Sequence, residues 1–210
     1  MSINKLTAPE SSHYLEFSLT KSLNRLLLGV FTFLISKKYD MKTIDTYKPT
    51  AISIYNYLPL DAVYRHTCGV YNSLGRTFPG QTRSGRRIIC VNLYQFNCLS
   101  SNNIPSILMH ELTHVRQYRN HSVESTSIKT VSRYGYDSYK NSPREKEAVL
   151  AELEFTEWCQ RERFTVGYLG VAQKLLSTFP QGHFVFKVET KGVKMIGFVP
   201  RDLSDYKEIL

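Results

Sequence analysis

The sequence predicts an α+β fold that is mainly helical, with a small β-sheet before a central helix and a β-hairpin near the C-terminus. Three observations predict this fold class. They are a helical apolar stripe in the first 50 residues, a strand followed by capped helices in the middle, and two strand-like runs around Lys191-Gly192. The chain has 210 residues, 42% of them hydrophobic, and a domain of this size buries roughly 70% of its unfolded surface. We expect one domain, 1–210, with an N-terminal helical segment (1–50), a core (86–165) and the hairpin (183–199).

The N-terminal helix is predicted from apolar residues at helical spacing: Leu15, Leu19, Leu23, Leu26 or Leu27, Val30 and Leu34. Its most apolar stretch, Leu26–Ile35, is shorter than the about 20 residues that span a bilayer, so we expect no transmembrane span. Acidic Glu10 and Glu16 precede this stretch and Lys37-Lys38 follow it, which is not the order of a signal peptide. We favour a buried core helix, with a membrane-contacting segment or a cleaved signal as alternatives.

The middle and C-terminal parts contain recognisable strand and helix patterns. Ser142-Pro143 is a helix start, because serine caps the first turn and proline suits the first helical position. We predict strands at Ala51–Tyr57 and Arg86–Tyr94, a loop or hairpin at Gly69–Gly85, helices at Ile104–Arg119, Arg144–Phe164 and Tyr168–Phe179, and hairpin strands at His183–Val188 and Val193–Val199.

The charge is uneven along the chain. The protein carries 27 Lys and Arg against 18 Asp and Glu, a formal net charge of +9. Residues 1–109 contribute +7 (12 basic, 5 acidic) and residues 110–210 contribute +2 (15 basic, 13 acidic). The basic first half suits an anionic partner such as nucleic acid, an anionic cell envelope or an acidic substrate.

The four cysteines form no metal or redox motif. Cys68, Cys90, Cys98 and Cys159 include no CxxC pair, which argues against a thioredoxin-like motif and a cysteine-rich zinc site. We expect buried, inert thiols. One disulfide among the first three is the alternative if the protein is exported.

A His-Glu-x-x-His pentapeptide, His110–His114, lies on the helix predicted from Ile104. Residues i and i+4 share a helical face, so both imidazoles can reach one cation. Glu111 lies about 100° away around the helix axis, where a general base for a bound water is needed. Chance places this pattern in roughly 0.01 of such chains. Because zinc favours imidazole and carboxylate ligands in catalytic sites, we predict a Zn²⁺ centre with His110 and His114 as ligands and Glu111 as base.

A third ligand must come from another element, because the three-histidine spacing does not continue beyond His114. A carboxylate from a downstream helix is the other common solution. The helix after Ser142-Pro143 begins 30 residues later, enough chain to turn back and pack. We favour Glu145, which shares a face with Ala148 and Val149; Glu147 and Glu152 are the alternatives.

Two blocks of sequence resemble a known family. They read His-Glu-Leu-Thr-His-Val-Arg-Gln-Tyr-Arg (110–119) and Asn-Ser-Pro-Arg-Glu-Lys-Glu-Ala (141–148), with Tyr136 and Tyr139 between them. This pattern resembles small bacterial gluzincin-type zinc metallopeptidases, and most nearly the core domain that accompanies contractile injection systems and polymorphic toxins. The resemblance covers about 60 residues, from Ile88 to Glu152.

The resemblance implies a zincin-like fold and a role as a secreted or injected toxin or effector. It implies His110, His114 and Glu145 as zinc ligands and Glu111 as the catalytic base. The chain departs from the family at Val149, where many gluzincins carry an acid that supports a zinc-bound histidine.

Amide hydrolysis also needs a group that stabilises the oxyanion. Tyr139, six residues before Glu145, is our candidate, and Tyr136 is the alternative. His183 and Arg133 are weaker candidates.

These patterns predict a zinc-dependent peptidase that hydrolyses an amide bond with a metal-activated water. Its substrate would be a peptide, a protein or a peptidoglycan stem, and an anionic surface is a further candidate partner. The alternative is a basic nucleic-acid or anionic-polymer binding protein with a non-catalytic zinc site, based on basic and aromatic residues at Arg76, Arg83, Arg86, Arg87, Tyr71, Phe78 and Tyr94. No nucleic-acid motif is present, so we expect no specific nucleic acid. By the resemblance, the protein would lie in the cytoplasm of a bacterial producer or be exported without a recognisable cleaved signal, and the sequence favours neither location.

Overall fold

The computed structural model describes residues 8–56, 75–78, 88–92, 104–120, 141–167 and 182–200. These residues form, in chain order, α1 (Ala8–Ser36), α2 (Met41–Thr46), β1 (Ala51–Asn56), β2 (Gly75–Phe78), β3 (Ile88–Asn92), α3 (Ile104–Asn120), α4 (Pro143–Arg161), β4 (Gly182–Glu189) and β5 (Gly192–Pro200). The fold is mixed helix and sheet, and most of the described regular structure is helical. The predicted combination of helices with a small sheet is therefore confirmed.

The described strands form one sheet in the order β2-β3-β1-β4-β5. β1 pairs in parallel with β3 and antiparallel with β4, so Ile52 lies between Ile89 and Phe186. All three of these residues are fully buried. Because alternate residues of a strand face the same side, Ile54 and its buried partner Phe184 extend the same apolar face. This face is the contribution of the sheet to the hydrophobic core.

The C-terminal hairpin is confirmed, and it belongs to the same sheet as the N-terminal strands. β4 and β5 pair antiparallel with a register shift between Val185 and Phe186, and β4 continues the sheet through β1. The turn is tied to α1, where Asn24 Oδ1 accepts a hydrogen bond of 2.9 Å from the backbone N–H of Val193. Gly192 beside it has φ +134°, a conformation that L side chains rarely adopt.

The predicted apolar stripe of α1 is confirmed as its buried face. Its leucines and valine are at most 4% exposed: Leu15, Leu19, Leu23, Leu26, Leu27, Val30 and Leu34. On the other face, Phe17, Leu28 and Ile35 are more than half exposed. His13–Ser36 is long and apolar enough to cross a membrane by composition, although 56% of its most apolar window is buried inside the protein. The burial favours a core helix, and the absence of a transmembrane span stays a prediction.

An aromatic cluster joins α1 to α4. The ring of Phe33 lies 5.3 Å from that of Phe155 and 6.1 Å from that of Trp158, measured between centroids. Phe155 and Trp158 stack on each other at 5.7 Å. Both lie in the second half of α4 and are buried, so this packing turns their face of the helix toward the core. On the outer side of the same helix, Leu150 and Leu153 are 57% and 56% exposed.

The remaining predicted elements agree with the structure where it describes them. β2 lies within the segment predicted as a loop or hairpin, Gly69–Gly85, and pairs antiparallel with β3. The helix predicted at Tyr168–Phe179 lies outside the described residues. Cys159 is a free thiol, whose pKa burial raises to about 11.

Candidate metal centre

Helix α3 carries both histidines of the pentapeptide. Leu108, Met109, Leu112 and Val115 are buried at 2% exposure or less, so the core holds the helix on its apolar side. His110 and His114 lie one turn apart, with ring centroids 4.8 Å from each other. The helical spacing therefore brings the two imidazoles together, as predicted.

Helix α4 supplies the carboxylate. Ser142 caps the helix, and its hydroxyl accepts a hydrogen bond of 3.3 Å from the backbone N–H of Glu145. The cap places Glu145 in the first turn. One turn later Ala148 is fully buried, and its small side chain lets α4 approach α3 closely.

The three side chains converge on one point. Glu145 Oε1 lies 3.1 Å from His114 Nε2, and Glu145 Oε2 lies 3.4 Å from His110 Nε2. The two Nε2 atoms are 3.1 Å apart, and one ligand atom from each residue lies within 4.8 Å of the others. His114 and Glu145 are each 8% exposed. Two imidazole nitrogens and a carboxylate that face one another in a buried site fit a metal ion, and the group can hold one.

The charges in this site change the protonation of both histidines. Burial lowers the pKa of His110, but Glu145 and Glu152 outweigh it and raise the pKa from 6.5 to about 10. For His114 burial also acts downward, and the hydrogen bond to Glu145 with the charge of Glu111 gives a net raised pKa. Because metal ligation needs neutral imidazoles, a metal ion binding here must displace protons that these carboxylates stabilise.

The other two candidate carboxylates lie elsewhere. Glu152 Oε2 lies 3.2 Å from Nδ1 of His110, on the opposite side of the ring from Glu145, although the pair is not aligned as a hydrogen bond. Glu147 is paired with Arg116. Of the three acids considered, Glu145 is the one that reaches both Nε2 atoms.

The carboxylate beside Nδ1 of His110 belongs to Glu152, whereas position 149, where the resemblance implied an acid, is a valine. Val149 is 45% exposed. Residues 145, 148, 152 and 155 recur at helical spacing on one face, so Glu152 lies two turns beyond Glu145. That spacing was readable in the sequence, as a carboxylate seven residues after the first.

Sequence reasoning missed Gln117. Its Oε1 lies 2.8 Å from Nδ1 of His114, and the side chain is 5% exposed. The available signal was its position three residues after His114, on the face that carries both histidines.

Most of the predicted oxyanion groups and of the basic cluster lie outside the described residues. Tyr136, Tyr139 and Arg133 lie outside the described residues, as do Arg83, Arg86 and Arg87. His183 and Arg76 are backbone members of β4 and β2. Tyr139 as the oxyanion group therefore stays a prediction.

Comparisons of the chain with protein-family models, curated proteins and solved structures find no match. The resemblance to gluzincin-type peptidases therefore depends on the two sequence blocks. The metal-capable group depends on the geometry above.

Proposed function

We propose that this protein is a zinc-dependent peptidase of zincin-like fold that hydrolyses an amide bond with a metal-activated water. The observation that carries the proposal is the convergence of His110, His114 and Glu145 from two packed helices. The helix that supplies both histidines also carries a buried carboxylate at Glu111, which is 2% exposed.

The donor set favours zinc among the common metals. Two imidazoles and one carboxylate are the protein ligands of many hydrolytic zinc sites, and they leave a fourth position for water. Mg²⁺ and Ca²⁺ prefer sites made of oxygen ligands alone. When bound, zinc lowers the pKa of a coordinated water toward about 7.

The role we propose for Glu111 is that of the general base, which accepts a proton and passes it on. Its carboxylate cannot join the imidazoles on their face of α3, because neighbouring residues lie about 100° apart around a helix. It follows His110 directly in the chain, and its charge raises the pKa of both histidines. From there the carboxylate can accept the proton of the attacking water and pass it to the leaving amine.

The substrate we propose is a peptide, a protein or a peptidoglycan stem. The net charge of +7 in residues 1–109 would draw the protein toward an anionic surface or an acidic substrate. The resemblance supports a secreted or injected toxin or effector.

The test is hydrolysis by the variant Glu111→Gln, which keeps the side-chain shape and removes the base. We expect hydrolysis to fall by about 10²–10⁴-fold while zinc content stays at the wild-type level. The assay covers unfolded protein substrates and purified peptidoglycan, with zinc measured by elemental analysis.

The matched control is Glu157→Gln, an exposed residue of α4, which removes the same charge away from the site. It should hydrolyse as the wild type does. Unchanged turnover in Glu111→Gln would rule out the mechanism.

A further inference from the structure

Gln117 links the two helices of the metal centre. It lies on α3, and its amide Nε2 donates hydrogen bonds to Glu147 Oε2 at 2.7 Å and to the backbone oxygen of Arg144 at 3.0 Å. Its Oε1 lies 2.8 Å from Nδ1 of His114. All three contacts come from a side chain that is 5% exposed.

The partners decide which way the amide of Gln117 points. A carboxylate and a backbone carbonyl can only accept hydrogen bonds, so the –NH₂ group must face Glu147 and Arg144. The carbonyl oxygen of Gln117 then faces His114. Because that oxygen is an acceptor, Nδ1 of His114 must carry the hydrogen. In a neutral imidazole this leaves the lone pair on Nε2, the atom that faces Glu145.

Glu147 is itself held in place. Its Oε1 pairs with the guanidinium of Arg116 on α3, and that guanidinium lies 5.5 Å from the ring centroid of Tyr47, which caps the C-terminal end of α2. Glu147 therefore has one oxygen on Arg116 and the other on Gln117. Glu147, which the sequence offered as an alternative metal ligand, therefore holds the amide of Gln117, and that amide contacts the candidate ligand His114.

We propose that Gln117 and Glu147 are positioning residues that hold His114 as the Nδ1–H tautomer, with Nε2 directed at a bound zinc ion. The inference rests on the proposed function and deepens it. Contacts of this kind to a ligating histidine fix its orientation, and their loss typically costs 10–100-fold in metal affinity or activity. In other sites a carboxylate contacts the ligating histidine directly and orients it. Here the uncharged amide of Gln117 contacts His114, and the carboxylate of Glu147 orients that amide.

The first test compares the wild type with Gln117→Met, which keeps the length of the side chain and removes its hydrogen bonds. Zinc affinity is measured by competition with a chromophoric chelator. We expect it to fall about 10–100-fold in the variant. Gln160→Met, the same change at an exposed position of α4, should bind zinc as the wild type does.

The second readout is the tautomer itself. In zinc-loaded protein with ¹⁵N-labelled histidine, NMR should show Nδ1 of His114 protonated, with its hydrogen in slow exchange with solvent. In Gln117→Met this resonance should broaden or disappear through exchange. A packing role alone for Gln117 would not move this signal.

A charge swap tests the direction of the hydrogen bonds. The double variant Gln117→Glu, Glu147→Gln puts the carboxylate beside His114 and the amide beyond it. The hydrogen bond between His114 and residue 117 and the one between residues 117 and 147 can then both form, and the net charge is kept. It should recover zinc affinity to within a few-fold of the wild type. Gln117→Glu alone sets two carboxylates side by side and should lose at least as much affinity as Gln117→Met.

Equal zinc affinity and an unchanged His114 signal in Gln117→Met would overturn this proposal and leave the proposed function standing. Failure of the wild-type protein to bind zinc would overturn both. Failure of Glu111→Gln to lose hydrolysis, with zinc bound, would overturn the peptidase mechanism alone.

Discussion

Helices α1 and α3 both lie in the hydrophobic core, but they bury different chemistry. α1 buries leucines, valine and phenylalanine, and the hydroxyls of Ser18 and Ser22 are its buried polar atoms without a hydrogen-bond partner among the described residues. α3 buries the hydroxyls of Ser106 and Thr113 and also the larger polar side chains of Glu111, His114 and Gln117. Burial of apolar surface stabilises a fold, whereas burial of such polar groups costs free energy unless they are paired.

The difference separates what each helix contributes. α1 contributes apolar area and anchors the hairpin through Asn24. α3 depends on partners from α4, because Glu145 lies against His114 and Glu147 accepts a hydrogen bond from Gln117. We therefore expect substitutions in α1 to change stability and substitutions at the interface of α3 with α4 to change metal affinity.

The largest effect on stability is expected for Phe33→Ala on α1. Phe33 is 3% exposed and packs on Phe155 and Trp158, and truncating a buried phenylalanine typically costs about 3–5 kcal/mol. The free energy of unfolding, measured by denaturant titration of metal-free protein, should fall by that amount. Phe33→Leu should lose less, and Leu28→Ala, at a position 63% exposed, should change it by no more than about 0.5 kcal/mol. A loss of stability in Leu28→Ala as large as that in Phe33→Ala would contradict the assignment of the stabilising contacts to the buried face of α1.

The largest effect on metal affinity is expected for Glu145→Gln. It replaces a charged ligand that faces both histidines. Zinc affinity should therefore fall by more than the about 100-fold that marks the upper end for residues that only hydrogen-bond to a ligand. Chelator competition measures it, with Glu154→Gln on the same helix as the control. Glu154 pairs with Lys37 on the surface, and its loss should leave zinc affinity unchanged. Wild-type affinity in Glu145→Gln would remove Glu145 from the site.

A smaller effect is expected from pH. The pKa of His110 in the folded, metal-free protein is raised from 6.5 to about 10, so the folded state holds a proton that the unfolded state releases. The resulting stabilisation is fully present below pH 6.5 and is lost as pH rises toward about 10. The free energy of unfolding of metal-free protein should thus decrease from about pH 7 to about pH 8.5. This interval lies below the pH at which Tyr47 ionises, because burial raises the pKa of Tyr47 to about 12.

Zinc affinity should change in the opposite direction over the same range. Deprotonation of the histidines frees the ligand atoms, so affinity should increase with pH. Glu145→Gln removes a group that raises both histidine pKa values and should make the stability trend shallower. Metal-free stability that rises over this range would contradict the raised pKa of His110.

Local sequence was sufficient where the structure depends on neighbours in the chain. The stripe of α1, the cap at Ser142 and the i, i+4 pair of histidines each follow from helical geometry. The hairpin around Gly192 follows from strand patterns and a turn residue. These predictions are confirmed within a few residues, because each depends on interactions within one element.

Long-range packing decided what the sequence left open. Three acids of α4 were candidates, and the rotation of that helix places Glu145 on Nε2 of both histidines, Glu152 beside His110 and Glu147 on Gln117. Phe155 and Trp158 turn their face of that helix toward the core by packing on α1, more than 100 residues away in the chain. The pairing of β4 with β1 is equally long-range.

The sequence by itself determined that His110 and His114 share one helical face. It also determined that the carboxylate of Glu111 follows the first histidine, about 100° around the helix axis. A helix of 3.6 residues per turn imposes that arrangement wherever the pentapeptide folds as a helix. Only the tertiary structure decided which acid completes the group and which side chain orients His114. Those contacts depend on how α3 and α4, which are separated by 22 residues of chain, are turned toward each other by the core residues on their other faces.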